Sequence, residues 1–254
     1  MPVDAHADKS PLVMVGDNWC PYNCAPDAAQ QGYIVDILNR VLSQQYTLTY
    51  RILPWTRAIV EVEDGTAQIL IATPATTKQK AIASVPFGID RSCFFVRRGN
   101  PWRYSGLSDL KEVRLGVIQD YSYDDDGPLD TVIAGYRKRG DSRLEIASGD
   151  DALKHNFKKL QLGRMDVVIE NENVARYMIQ ELRQTESIDF AGCANHHVAT
   201  THVAVSSSRR DAVQILAKIN NGLAELRRTG ELKKILQPYG MSDWQTALAG
   251  KRAK

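Results

Sequence analysis

The sequence predicts an α/β fold built from two similar units. Three observations carry this expectation. Short apolar runs of strand length alternate with segments whose apolar residues recur at helical spacing. The alternation breaks at a Gly/Pro-containing connection, "GNPWRYSGLSDLKEV", and then restarts in the same style. No stretch reaches the roughly 18 apolar residues that a membrane helix needs. A chain of 254 residues is long enough for one large domain or two medium ones, each with its own core.

In the first unit, "PLVMVGD" reads as a short buried strand ending at Asp17. "GYIVDILNRVLSQQ" places Ile34, Ile37, Leu38, Val41 and Leu42 on one helical stripe. "YTLTYRIL" alternates like a strand, and "WTRAIVEVEDG" is a helix stopping near Gly65. "AQILIAT" is another buried strand, "TTKQKAIAS" a polar turn expected to open a short helix, and "SCFFVRRG" a strand. This is the grammar of an open α/β sheet. In such sheets ligands bind beyond the carboxyl ends of the strands, so the loops after Val15, Leu53 and Ile71 form one candidate rim.

The second unit repeats the pattern. "RLGVIQDYSY" is strand then loop, "GPLDTVIAGYRKRG" a helix and "RLEIASG" a strand. "DDALKHNFKKLQLG" is a helix expected to be capped by Asp150 or Asp151 and stopped by Gly163. "MDVVIEN" and "ENVARYMIQEL" read as strand and helix, and "HHVATTHVAVSS" as an extended segment. "DAVQILAKINNGLAELRRTGELKKILQPYG" gives two helices split near Gly230, the first with a stripe of Val213, Leu216, Ile219 and Leu223.

Composition narrows the function classes. Hydrophobic residues are 43% and charged residues 24%, which is ordinary for a globular chain. Lys plus Arg number 32 against 30 Asp plus Glu, so the formal charge of +2 does not point to nucleic acid. The terminal "KRAK" and Arg97-Arg98 read as solvated edges. The opening "MPVDAHADKS" is small and polar and has no apolar signal core. It reads as the start of a mature or trimmed chain, with any export signal already removed. There are four cysteines. Cys20 and Cys24 lie in "DNWCPYNCAP", a spacing that fits neither a C-x2-C redox motif nor a standard zinc knuckle. A Cys20–Cys24 disulfide in an oxidising compartment leads over free structural thiols and over a metal pair. Separation alone leaves Cys93 and Cys193 open between a second bridge and buried thiols.

Several segments, in order, carry a resemblance: "DNWCPY", "GYIVDI", "LPWTRAI", "DGTAQILIATPATTKQKA" with "VPF", "LGVIQDYSY", "MDVVIENENVARY" and "INNGLAELRRTGELKKILQPYG". Together they span roughly residues 11–244, and the chain resembles the family 3 extracellular solute-binding proteins, the polar amino-acid type of bacterial periplasmic binding protein. The resemblance implies two α/β lobes joined by two crossover strands, with a ligand cleft between them that closes by hinge motion. Mapped here, lobe one is 1–96 plus 204–254 and lobe two is the inserted 97–203, with "CFFVRR" and "THVAVSS" as crossovers. It further implies a periplasmic monomer that needs no cofactor and binds a small polar solute, an amino acid or related carboxylate. An inner-membrane ABC permease is the implied partner.

The implied cleft residues follow the strand ends. Asp17, Trp19 and Tyr22 come after the first strand, where the aromatics cover an apolar or cationic part of a ligand or simply pack the stapled loop. Trp55 follows the second strand, with Arg57 beside it as ligand contact or surface ion pair. Ala72, Thr73, Ala75 and Thr77 offer backbone and hydroxyl groups for an anion. The family's carboxylate-gripping arginine corresponds to Lys80, which has charge but not the planar fork. Gln119, Tyr121, Ser122 and Tyr123 line the second lobe, followed by the Asp124–Asp126 run, read as a helix cap or a solvated acidic loop. The family's ammonium-pairing aspartate corresponds to Asn171, which is uncharged. Both charged anchors of the amino-acid site are therefore altered. Glu170 and Glu172 are expected to point away from Asn171's side.

No G-x-S-x-G, H-E-x-x-H or Walker motif is present, so an enzyme is not expected. A metal protein using Cys193 with His196, His197 and His202 is one alternative, and a sensing or orphan binding protein uncoupled from transport is another. If "WCPYNC" is a stiffened rim, Cys24→Ala is expected to weaken ligand affinity and lower the melting temperature while the fold persists. Equal affinity and equal melting temperature in the parent and the variant would remove that role.

Overall fold

The computed structural model describes residues 9–75, 80–194 and 199–252. Two mixed sheets organise the chain. The first has the order β2-β1-β3-β11-β4, formed by β1 (Ser10–Gly16), β2 (Tyr46–Ile52), β3 (Ile69–Pro74), β4 (Ala81–Ala83) and β11 (Ala199–Ser206). A further short strand, β5 (Gly88–Asp90), also pairs with β11. The second sheet has the order β10-β6-β9-β7-β8, formed by β6 (Ser92–Arg97), β7 (Leu115–Ile118), β8 (Leu144–Ala147), β9 (Val167–Asn171) and β10 (Ile188–Cys193). The helices α1 (Tyr33–Leu42), α2 (Trp55–Glu63), α3 (Pro128–Arg139), α4 (Ala152–Gln161) and α5 (Glu172–Glu181) alternate with the strands. They are followed by α6 (Ala212–Arg228), α7 (Glu231–Leu236) and α8 (Trp244–Arg252).

The apolar runs become central strands because both of their faces are covered. Leu12, Met14 and Val15 of β1 are fully buried, and β1 pairs in parallel with β2 (Met14 opposite Tyr50) and with β3 (Met14 opposite Ile69). β11 returns antiparallel to β3, with Val203 opposite Ile71. In the second sheet β7 is parallel to β8 and β9, and β6 is antiparallel to β9 and β10. The parallel strands β1, β2 and β3 thus send their carboxyl ends to one edge, as do β7 and β9.

The helical stripe of α1 buries Ile34, Ile37, Leu38 and Leu42. Full burial of such a side chain contributes about 1.5–3 kcal/mol. α6 crosses α1 where a Cβ on Gly222 would stand 2.4 Å from Val41 Cγ1, so only glycine permits this approach. Gly230, at φ +76°, turns the chain from α6 into α7, as its position in the sequence suggests.

Three expectations change. The segment after β3 continues, from Ala81, as strand β4 rather than a helix, because "AIA" pairs with β11. The buried stripe of α6 is Ala212, Ile215, Ile219, Leu223 and Leu226; Val213 is 64% exposed, since a straight helix rotates it off the face. Asp151 stands at the start of α4 without a side-chain capping bond. Of the two segments expected as crossovers, β6 pairs within the second sheet and β11 within the first. Sheet membership changes around Arg91 and again between Ala194 and Ala199.

Both pairs of cysteines are bonded, Cys20–Cys24 and Cys93–Cys193. The second bond joins β6 to β10 across an antiparallel pair and closes a loop of sequence separation 100, at the neck of the second sheet's segment. Closing so long a loop restricts the unfolded chain strongly. The double variant Cys93→Ser/Cys193→Ser is expected to lose about 3–5 kcal/mol of unfolding free energy, read as a lower urea midpoint. An unchanged midpoint would mean that the sheet alone holds the neck.

Candidate functional site

The carboxyl-end loops of both sheets meet at one seam, and a cavity of about 340 Å³ opens there. The first sheet contributes Asp17 and Trp19 after β1, Trp55 after β2, Ala72 and Pro74 at the end of β3, and Asp90 at the end of β5. The second contributes Asp120, Tyr121 and Ser122 after β7, then Asp126, and one face of α3 through Asp130, Ile133, Ala134 and Arg137. A neighbouring cavity of about 500 Å³ shares Asp17, Trp55 and Tyr121, so these three form the partition between the chambers.

Local structure explains which side chains reach the cavity. The loop after β1 folds back on itself: Trp19 N–H donates to Asn23 O (2.8 Å) and Tyr22 N–H to Trp19 O (3.0 Å), with the Cys20–Cys24 bond across it. The Trp19 and Tyr22 rings stack at 4.4 Å. Trp19 faces the cavity, whereas Tyr22 is fully buried behind it. The Tyr22 hydroxyl donates to Ile89 O (2.9 Å) and accepts from Asn173 Nδ2 (3.1 Å). Tyr22 is therefore a pin beneath the rim and not a cleft wall.

Trp55 opens α2, and its indole N–H donates to Asp120 O (3.2 Å) across the seam. Thr56 Oγ1 donates to Asp120 Oδ2 (2.7 Å) in the same place. Arg57 is largely exposed, pairs with Glu61 at 3.3 Å, and borders only the second chamber among the described lining. Ala72 takes φ +58° and lines the cavity, while Thr73 turns inward and is fully buried. Ala75 is exposed and outside the lining, and Thr77 lies outside the described residues. Lys80 is exposed and stands off the lining, where its carbonyl accepts from Ser207 N–H (2.8 Å) because the chain is already entering β4.

On the second lobe, Gln119 borders the neighbouring cavity and Tyr121 both cavities. The Tyr121 hydroxyl donates to the Asp17 carboxylate across the seam. Ser122 donates to Asp130 Oδ2 (2.6 Å). Tyr123 is buried in the second core, where its hydroxyl accepts from Ile118 N–H (2.8 Å), so it does not line the cavity. The acidic run is not a solvated loop throughout. Asp124 is 5% exposed and caps the start of α3, accepting from Leu129 N–H (2.8 Å) and Asp130 N–H (3.0 Å).

Asn171 caps α5, accepting from Asn173 N–H (2.9 Å), and donates through Nδ2 to Asp90 Oδ1 (3.0 Å). The amide of Asn171 thus orients a neighbouring carboxylate, that of Asp90. Glu170 is 1% exposed and accepts from Trp19 Nε1 (3.0 Å), so its side chain meets the opposite lobe rather than turning away unused. Glu170 Oε2 has no partner among the described residues.

Sequence reasoning missed Asp90, Glu170 and the α3 face. Only the last left a signal: residues 130, 133, 134 and 137 follow helical spacing on one side of "PLDTVIAGYRKR".

The acidic groups at the seam are far from their ordinary state. Burial raises Asp17 to about 6, against the lowering effect of the Tyr121 hydroxyl. Burial raises Asp90 to about 7, with Asn171 opposing and the charges of Asp125 and Asp130 adding to the rise. Burial also raises Glu170 to about 8, opposed by Trp19 and the Asn171 N–H.

The two described residues of the metal alternative, Cys193 and His202, are already engaged. Cys193 is oxidised in its bond to Cys93, and both ring nitrogens of buried His202 are engaged, by Ser84 O (2.7 Å) and Thr200 Oγ1 (2.8 Å). His196 and His197 lie outside the described residues.

The family model for bacterial extracellular solute-binding proteins, family 3, matches residues 12–242. Among solved structures, a histidine kinase sensor domain with similarity to periplasmic binding proteins aligns at 22% identity and TM-score 0.73, over 91% of this chain and 96% of its own. The substrate-binding protein of an amino acid ABC transporter aligns at 18% identity and TM-score 0.71, over 91% and 99%. An ancestral arginine-binding protein bound to arginine aligns at 18% identity and TM-score 0.72, over 91% and 98%. At these identities the likeness shows the fold: two α/β lobes of the periplasmic binding protein kind. No curated protein matches the sequence.

A carboxyl group whose folded pKa is raised keeps a proton that the unfolded chain has released. Folding stability is then greatest below the unfolded values near 4 and falls as pH rises through the folded ones. With Asp17, Asp90 and Glu170 at about 6, 7 and 8, the melting temperature is expected to decline steadily from about pH 5 to about pH 9. Glu170→Gln keeps an acceptor for Trp19 and is expected to flatten the upper part of that decline. A melting temperature that rises over this range would contradict the assignment.

Proposed function

The chain belongs to the bacterial extracellular solute-binding proteins, family 3, and we propose that it captures a small polar solute at the seam between its two lobes. We take the lobes from sheet membership, 9–90 with 199–252 and 91–194. The observation that carries the reading is the cavity of about 340 Å³ lined from both lobes and bridged by cross-lobe hydrogen bonds, three of them donated by its aromatic lining residues. These run from Trp19 to Glu170, from Tyr121 to Asp17 and from Trp55 to Asp120. A solute held by both walls favours the closed form and shifts the population towards it.

In this reading the protein acts outside the cytoplasm, where its two disulfides persist, and hands its solute to an ABC permease. It is a binding protein without catalysis. No helix among the described residues is long and apolar enough to cross a membrane, which is compatible with a carrier that moves between capture and delivery. An amino acid is the solute class that the family suggests. Its carboxylate is the part the site accommodates least, because Lys80 stands off the described lining and five of the six charged residues there are acidic. A second reading, a sensing module, draws on the histidine kinase sensor domain of similar fold. Lobe closure serves either output.

Native mass spectrometry of the purified protein, followed by a thermal-shift screen of polar solutes, tests the proposal. One solute at a hundredfold excess over its Kd is expected to raise the melting temperature by about 5 °C or more. Trp55→Ala, which removes a wall shared by both chambers, is expected to abolish that shift while circular dichroism stays unchanged. A protein that retains no small molecule and responds to no solute would overturn the reading.

A further inference from the structure

We infer that the cleft selects an organic cation that carries no carboxylate, an amine or guanidine, whose positive group is held by Asp90 and Asp17 among the rings of Trp19, Trp55 and Tyr121. This inference rests on the solute-binding reading above and names the solute's class.

Charge is the first argument. Five carboxylates line the cavity, and Arg137 is the one cation in its described lining. Arg137 already stands 3.8 Å from Asp120. Asp120 and Asp130 are occupied in holding the loop after β7, through Thr56 and through Ser122 and Tyr123. Asp90 and Asp17 differ. Each belongs to the first lobe and lines the cavity, and each is positioned by a neutral donor, Asn171 and Tyr121, that leaves its charge uncompensated. Glu170, one oxygen of which has no partner among the described residues, stands against Trp19 and feels the charges of both Asp90 and Asp17.

Ring geometry is the second argument. Trp55 and Tyr121 meet edge to face, with centroids at 6.1 Å, and form a corner. Trp19, backed by Tyr22, supplies a third aromatic surface to the same cavity. Aromatic faces beside carboxylates recognise ammonium and guanidinium groups. They offer nothing to a carboxylate, which in this cavity would also face like charges in a partly desolvated site.

The third argument concerns the anion grip. Lys80, where the resemblance implies the carboxylate-gripping residue, is exposed and away from the described lining. An α-carboxylate would thus meet repulsion with no cation free to offset it among the described lining residues.

The test uses pairs that differ only by the α-carboxylate: L-arginine with agmatine, L-ornithine with putrescine, and L-lysine with cadaverine. L-Glutamine and L-glutamate complete the panel, and affinity is read by titration calorimetry on the full chain. In at least one pair the carboxylate-free member is expected to bind about tenfold tighter or more. Asp90→Asn, and separately Asp17→Asn, are expected to weaken that compound about tenfold to hundredfold with unchanged circular dichroism. Tighter binding of the amino acid in every pair, or binding of glutamine or glutamate alone, overturns the cation inference and leaves the solute-binding reading intact. If no panel member binds, native mass spectrometry decides. A retained carboxylate-free cation supports the inference, a retained neutral, zwitterionic or anionic compound overturns it, and an empty protein overturns both readings.

Discussion

The chain passes between its two sheets twice, near Arg91 and between Ala194 and Ala199, and this double passage governs everything else in the molecule. It makes the second lobe an insertion whose two ends leave and return side by side. Cys93 and Cys193 face each other in that neck, on β6 and β10, and their bond fixes where the second lobe is anchored. Parallel pairing of β1 with β2 and β3, and of β7 with β9, then sends several strand ends of each lobe to the same seam. The loops there have no choice of neighbour. Asp17 meets Tyr121, Trp19 meets Glu170 and Trp55 meets Asp120 because topology has already placed their strands end to end.

That arrangement also explains what was readable in the sequence. Apolar runs end where strands end, so Asp17, Trp55, Ala72 and Tyr121 were legible as rim residues from local pattern alone. The same logic could not separate Trp19 from Tyr22. They share one loop, and only its reverse turn sends one ring to the cavity and the other into the core. Asp90 was invisible for a different reason. Its strand of three residues exists because β11 returns to pair with it, a contact distant in sequence. Glu170 is buried by Trp19 from the opposite lobe, so no reading of β9 alone can predict its state. Local periodicity reports strands and helices; a site between lobes depends on pairings that periodicity does not contain.

The substitutions at the expected anchors also belong together. Asn171, where the resemblance implies an aspartate, caps α5 and orients Asp90 with its amide. A carboxylate therefore stands one side chain away from the expected position. Lys80, where the resemblance implies an arginine, is exposed, and Arg137 in the described lining is paired with Asp120. Among the described lining residues, negative charge is thus the more available of the two.

Burying three acidic groups near one another is unfavourable for the empty protein, and that cost has a functional reading. In water each carboxylate would ionise freely, and at the seam burial holds Asp17, Asp90 and Glu170 towards the neutral form. A cation entering the cleft reverses the balance: it favours ionisation of the groups around it and releases their protons. The attraction is strongest when both lobes surround the ligand, since exclusion of water strengthens every charge interaction inside. Closure and charge recognition are then one process. A neutral solute would gain the contact area of the aromatic walls but leave the acidic groups as they were, so it would bias the lobes far less. The arrangement that penalises the unliganded seam is what lets a cation, rather than any small molecule of similar size, hold it shut.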